Sequence, residues 1–118
     1  MYAAGIFYLS SGPSPDIPPP FPNFDKVVHV TLYTGFSFFV ARAVCFQWKE
    51  ISRMTLWLTI AISSLYGLSD EIHQFFVPTR SCDVLDWCAD VVGSVLGVFV
   101  FSAYRYSLLK CRFKKSIN

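Results

Sequence analysis

The sequence predicts an all-α integral membrane helical bundle, with three full membrane-crossing helices and a shorter N-terminal helical or partly spanning segment. Three observations carry that expectation. Of 118 residues, 53% are hydrophobic and only 15% are charged, with a mean hydropathy of +0.44. Water-soluble domains carry about 25% charged residues, so the chain lacks the polar surface to cover a water-facing globule. Three long apolar runs interrupt the sequence, each long enough to cross a hydrocarbon core. No stretch alternates apolar and polar residues with a period of two, which argues against strands. The 18% aromatic content excludes a disordered chain, and the length leaves room for one domain.

Residues 1–11 (MYAAGIFYLSS) are apolar but too short to span. They lack the basic start and small-residue cleavage site of a secretory signal. They read as a re-entrant or interfacial helix, or as the outer end of a span that starts earlier. Residues 12–24 form a linker on the outer side, because Gly12-Pro13-Ser14-Pro15 and Pro18-Pro19-Pro20 remove backbone donors and favour extended geometry. Asn23 or Asp25 is the expected cap of the next helix.

The first full span is expected over 26–48. Val27–Trp48 carries a single charge, Arg42, and its helix would be about 33 Å long against a hydrocarbon core of about 30 Å. The second, over 54–77, has no charge from Met54 through Leu68. It then runs through Ser69-Asp70-Glu71-Ile72-His73-Gln74 to Phe75-Phe76-Val77 before Pro78. The third, over 86–106, contains Trp87–Tyr104 with Asp90 as its only charge. Residues 107–118 make a basic tail.

Ten Lys+Arg against eight Asp+Glu give a formal charge of +2, too little to suggest a nucleic-acid partner. Their distribution is more informative. Arg42, Lys49 and Arg53 flank the first connection, and Arg105, Lys110, Arg112, Lys114 and Lys115 follow the last span. Three spans put both groups on one side, which the positive-inside rule makes cytoplasmic. The tail is then a topology anchor that also touches anionic lipid of the bilayer. The four cysteines show no metal-binding spacing, and a Cys82–Cys88 bond is not demanded by anything in the sequence.

That topology sends every acid except Glu50, and both histidines, to the outer side. Asp25, Lys26 and His29 open the first span; Asp70, Glu71, His73 and Gln74 close the second; Asp83, Asp86 and Asp90 surround the start of the third, with Arg80 in the loop between. Asp70, His73 and Gln74 share a helix face that Tyr66 extends. Asp86, Asp90, Gly93 and Gly97 form one stripe, and Gly93 and Gly97 make a GxxxG pair for close approach of a helix of this chain or of a partner. Ionisable groups at membrane depth cost about 2.5–3.5 kcal/mol each on insertion scales, so they need partners or a purpose. A network that merely locks three helices together is one reading. A functional pocket is the other, because buried polar networks are poor sources of net stability. Carboxylates with histidines supply a general acid and base or bind a divalent metal, and Arg80 suits a phosphate or carboxylate. No residue pattern specifies a cofactor, a metal or a nucleotide loop.

The blocks Asp25-Lys26-Val27-Val28-His29, Tyr66-Gly67-Leu68-Ser69-Asp70-Glu71-Ile72-His73-Gln74-Phe75-Phe76-Val77-Pro78 and Arg80-Ser81-Cys82-Asp83-Val84-Leu85-Asp86, with Ala89-Asp90, Gly93 and Gly97, resemble the VanZ-like family over residues 6–104. The DEIHQ-x-x-VP-x-R element is its distinctive part. The resemblance implies a small multi-pass protein of the bacterial cytoplasmic membrane, commonly of four helices, with a founding member associated with teicoplanin resistance. It marks Asp25, Lys26, His29, Asp70, Glu71, His73, Gln74, Arg80, Asp86 and Asp90. Glycine is usual between the Pro and the Arg; here Thr79 removes an easy φ > 0 conformation.

The expected function is an outward-facing pocket that binds or processes a phosphorylated or carboxylated lipid-linked envelope precursor. Asp70, Glu71, His73, Gln74, Arg80 and Asp86 are the candidate catalytic residues. Asp25, Lys26, His29, Asp83 and Asp90 are candidate binding residues. In a hydrolytic version Glu71 or His73 is the base, Arg80 the anion clamp, and Asp70 or Asp86 the orienting carboxylate. A non-catalytic membrane scaffold and a small transport subunit are the alternatives.

Overall fold

The computed structural model describes residues 1–13, 18–48 and 51–117. Asp16, Lys49 and Glu50 lie outside the described residues, as do the side chains of Arg112, Lys114 and Lys115. Among the described residues four helices follow one another: α1 (Tyr2–Ser11), α2 (Phe24–Trp48), α3 (Arg53–Phe75) and α4 (Val84–Ile117). Among the described residues there is no strand. The N-terminal apolar segment is thus helical, and α4 runs as one helix through the stretch expected to be a separate basic tail.

Among the described residues two helices, not three, are apolar and long enough to cross a membrane: α2 over Phe24–Phe46 and α4 over Val84–Cys111. Only 22% and 44% of their most apolar windows are buried inside the protein, whereas the core helix of a water-soluble fold would be mostly covered. The 23-residue α3 has the length but not the apolarity. Its buried positions are Thr55, Thr59, Ser63, Gly67, Asp70, Glu71 and Gln74, about four residues apart, whereas Trp57, Leu58, Ile62, Leu65 and Ile72 are exposed. A helix that hides hydroxyls and shows leucines outward is inverted for water and normal for lipid, where packing of small and polar side chains holds helices together.

α2 and α4 make the most extensive contact. A side-chain carbon added at Gly93 would lie 2.6 Å from the Val30 carbonyl oxygen, and one at Gly97 would collide with Thr34 and Ser37. The expected close approach therefore occurs within the chain, against the face of α2 that carries Val30, Thr34 and Ser37. There the Ser37 hydroxyl donates to the Ser94 carbonyl at 2.7 Å. α3 closes the other side of α4, where the Trp87 indole donates to the Ser64 carbonyl at 3.0 Å. One apolar cluster joins Ile6, Tyr33 and Phe36 beside Tyr66; a second joins Ala41, Cys45 and Phe101. All four cysteines are free thiols.

Local sequence sets the helix ends. Ser52 and Thr55 form a reciprocal capping box that starts α3. Asp83 precedes α4, and its Oδ1 accepts from the Leu85 N–H at 2.9 Å, satisfying one of the orphan donors of a helix start. Asn23, at the start of α2, has φ 61, which asparagine tolerates well. Thr79 has φ 69. The loop thus keeps the left-handed residue for which glycine is suited, despite a β-branched side chain.

Candidate functional site

The ends of three helices meet in one polar centre. α2 supplies Asp25, Lys26 and His29 from its first turns, α3 supplies Glu71 near its last, and α4 supplies Asp86 and Asp90 from its start. The Lys26 ammonium lies 3.1 Å from Asp25 Oδ2, 3.1 Å from Asp83 Oδ2 and 2.9 Å from Asp86 Oδ1. One turn deeper, His29 Nδ1 lies 2.8 Å from Asp90 Oδ1 and 3.9 Å from Glu71 Oε1. Glu71 Oε2 accepts the Asp83 N–H at 3.1 Å, which ties the end of α3 to the start of α4.

Close approach at glycine makes this possible. A side-chain carbon at Gly67 would lie 2.8 Å from Asp90 Oδ2. Gly67 on α3 and Gly93 on α4 therefore let α3 and α2, respectively, close on the segment that carries Asp90. Sequence reasoning missed Gly67 as part of the site. Its signal was the four-residue spacing Ser63, Gly67, Glu71.

The centre is buried and incompletely paired. Glu71 is 1% exposed and Asp90 is fully buried. Among the described residues Glu71 Oε1 and Asp90 Oδ2 have no hydrogen-bond partner, nor do the buried hydroxyls of Tyr33, Ser63 and Ser64. Unpaired buried polar oxygens are costly, and more so when charged. At the rim, the Asp83 carboxyl is held below the usual carboxylate range, chiefly by the Leu85 N–H and next by the Lys26 ammonium. One ligand atom each from His29, Glu71 and Asp86 fall within 4.8 Å of one another.

Four predicted site residues point elsewhere or to the margin. Arg80 donates from Nε to the Gly12 carbonyl and from Nη2 to the Leu9 carbonyl, each at 3.1 Å. His73 Nε2 lies 3.1 Å from Ser11 Oγ, and its ring sits 4.6 Å from that of Phe7. Both side chains thus hold the end of α1, where carbonyls lack helical partners and a cation is favoured. Gln74 donates to Asp70 Oδ2 at 3.3 Å, and both are buried.

Asp25, Lys26, His29, Glu71, Asp83, Asp86 and Asp90 are therefore brought together, with Asp70 and Gln74 beside them. His73 and Arg80 form a second station around α1. A family model described as VanZ/LLP1 matches residues 3–107. No curated protein and no solved structure matches the chain.

Proposed function

Because the chain belongs to the VanZ-like family, we propose that it is a multi-pass protein of the bacterial cytoplasmic membrane whose polar centre binds or processes a lipid-linked envelope precursor and thereby influences glycopeptide susceptibility. In this reading α2, α3 and α4 all cross the bilayer. The outward-facing leucines and isoleucines of α3 support its crossing although its polar face lowers its hydropathy. The cations of the first connection and of the C-terminal segment, opposite the acid-rich end, support a cytoplasmic C-terminus.

The observation that carries the reading is the open state of the network. A cluster serving only to lock helices together would close on itself, yet Glu71 Oε1 and Asp90 Oδ2 are buried without donors. Those oxygens suit the hydroxyl or amine groups of a sugar or peptide moiety. For a hydrolytic step Glu71 is the better base, since its Oε1 is unpartnered whereas His73 contacts Ser11.

The test is the teicoplanin susceptibility of cells expressing the chain beside its His29→Gln and Asp86→Asn variants, with membrane abundance measured in parallel. The reading expects the effect on susceptibility to vanish while abundance holds. An effect that persists in both variants, or that falls only in proportion to abundance, refutes it.

A further inference from the structure

We infer that the polar centre holds a divalent transition-metal cation, with His29, Glu71 and Asp86 as its protein ligands. The inference rests on the reading of this centre as a ligand site and names what occupies its buried part. Each ligand comes from a different helix, and their donor atoms lie within 4.8 Å of one another. Donors about 2.1 Å from one ion in tetrahedral geometry lie about 3.4 Å apart, so the widest of these separations must close by a little over an ångström to complete the set.

A second observation points to a cation independently of the clustering. Glu71 is 1% exposed, its Oε1 has no hydrogen-bond donor, and that oxygen faces the His29 ring at 3.9 Å. Charge balance points the same way. Asp25, Glu71, Asp83, Asp86 and Asp90 gather round one ammonium and one imidazole, and the Lys26 ammonium is engaged with Asp25, Asp83 and Asp86. Glu71 and Asp90 are left with His29 alone. Without a cation or an added proton, two buried carboxylates share a single imidazole.

The ligand types narrow the ion. One imidazole with two carboxylates suits Mn²⁺, Fe²⁺ or Zn²⁺ better than Ca²⁺ or Mg²⁺, which favour all-oxygen shells. With Asp90 on His29 Nδ1 at 2.8 Å, the nitrogen left for the ion is Nε2, and Asp90 is then the outer-shell carboxylate that orients the ring from its other side. Lys26, bonded to Asp86 at 2.9 Å, competes with the ion for that carboxylate.

Titration of the purified full chain in lipid nanodiscs with Mn²⁺, following free Mn²⁺ by electron paramagnetic resonance, tests the assignment. One Mn²⁺ per chain is expected, lost in Glu71→Gln and His29→Gln and weakened about 10–100-fold in Asp90→Asn. Lys26→Met should tighten binding several-fold, a gain that misfolding cannot produce. No saturable binding by the parent chain, unchanged binding in Glu71→Gln and His29→Gln, or no gain in Lys26→Met overturns the assignment. Precursor binding by the same samples in excess chelator is a separate measurement, so a failed metal site leaves the ligand reading to stand or fall by itself.

Discussion

His29 and Asp90, on different helices, are joined at 2.8 Å in the interior of the bundle. Removing one partner of a buried charged pair leaves the other uncompensated, which costs about 3–5 kcal/mol. His29→Ala should therefore destabilise the protein by about 3 kcal/mol, and Asp90→Asn by somewhat less. The double variant should lose less than the sum of the two. Thermal unfolding in detergent across the four proteins measures that coupling; strict additivity would show that the pair contributes nothing as a pair.

Gly93 and Gly97 face α2 of the same chain, with a carbonyl oxygen only 2.6 Å from where a Gly93 side chain would begin. Gly93→Ala should force α2 and α4 apart and destabilise by about 1–3 kcal/mol. Oligomeric state, read by light scattering of detergent complexes, should not change. Loss of an oligomer without loss of stability would instead mean that this face serves an intermolecular contact.

Arg80 reaches two carbonyls at the end of α1 at once. Arg80→Ala should release α1, raising amide exchange over residues 2–11 while α2 and α4 stay protected. Arg80→Lys should rescue little, because an ammonium does not reproduce the two-pronged guanidinium geometry. Equal exchange in the native chain and Arg80→Ala would show that α1 is held by its apolar face alone.

These contacts also show what the sequence made legible. Charge-poor runs marked α2 and α4, and the placement of acids near helix ends foretold the convergence of Lys26, His29, Glu71, Asp86 and Asp90. The i, i+4 glycines foretold the close contact beneath them. His73 and Arg80 were assigned to the same cluster, but their partners are Ser11, Phe7 and backbone carbonyls more than sixty positions earlier. A carbonyl carries no residue signature, so no pattern could reveal that use. The polar stripe of α3 was readable as spacing, yet it hid the fact that its hydroxyls lower the helix below the apolarity of its neighbours.

Asp83 gives the pH dependence. Its folded carboxyl titrates below the ordinary carboxylate value, so it stabilises the fold above that value, and the contribution disappears as pH falls through the lowered one. Asp83→Asn should therefore lose stability near neutrality and show a flatter acid limb below the ordinary carboxylate pKa. An acid limb identical to that of the native chain would assign acid sensitivity to other groups.

The most direct test of the central claim, that this centre is an open ligand site and not a helix clasp, is the isosteric Glu71→Gln variant followed by two readouts on one sample. Gln can keep the bond from the Asp83 N–H while removing a buried, half-paired charge. The account predicts an unfolding midpoint equal to or above the native one, together with loss of binding of a polyprenyl-diphosphate-linked sugar in nanodiscs. A clearly lowered midpoint with binding retained would contradict it.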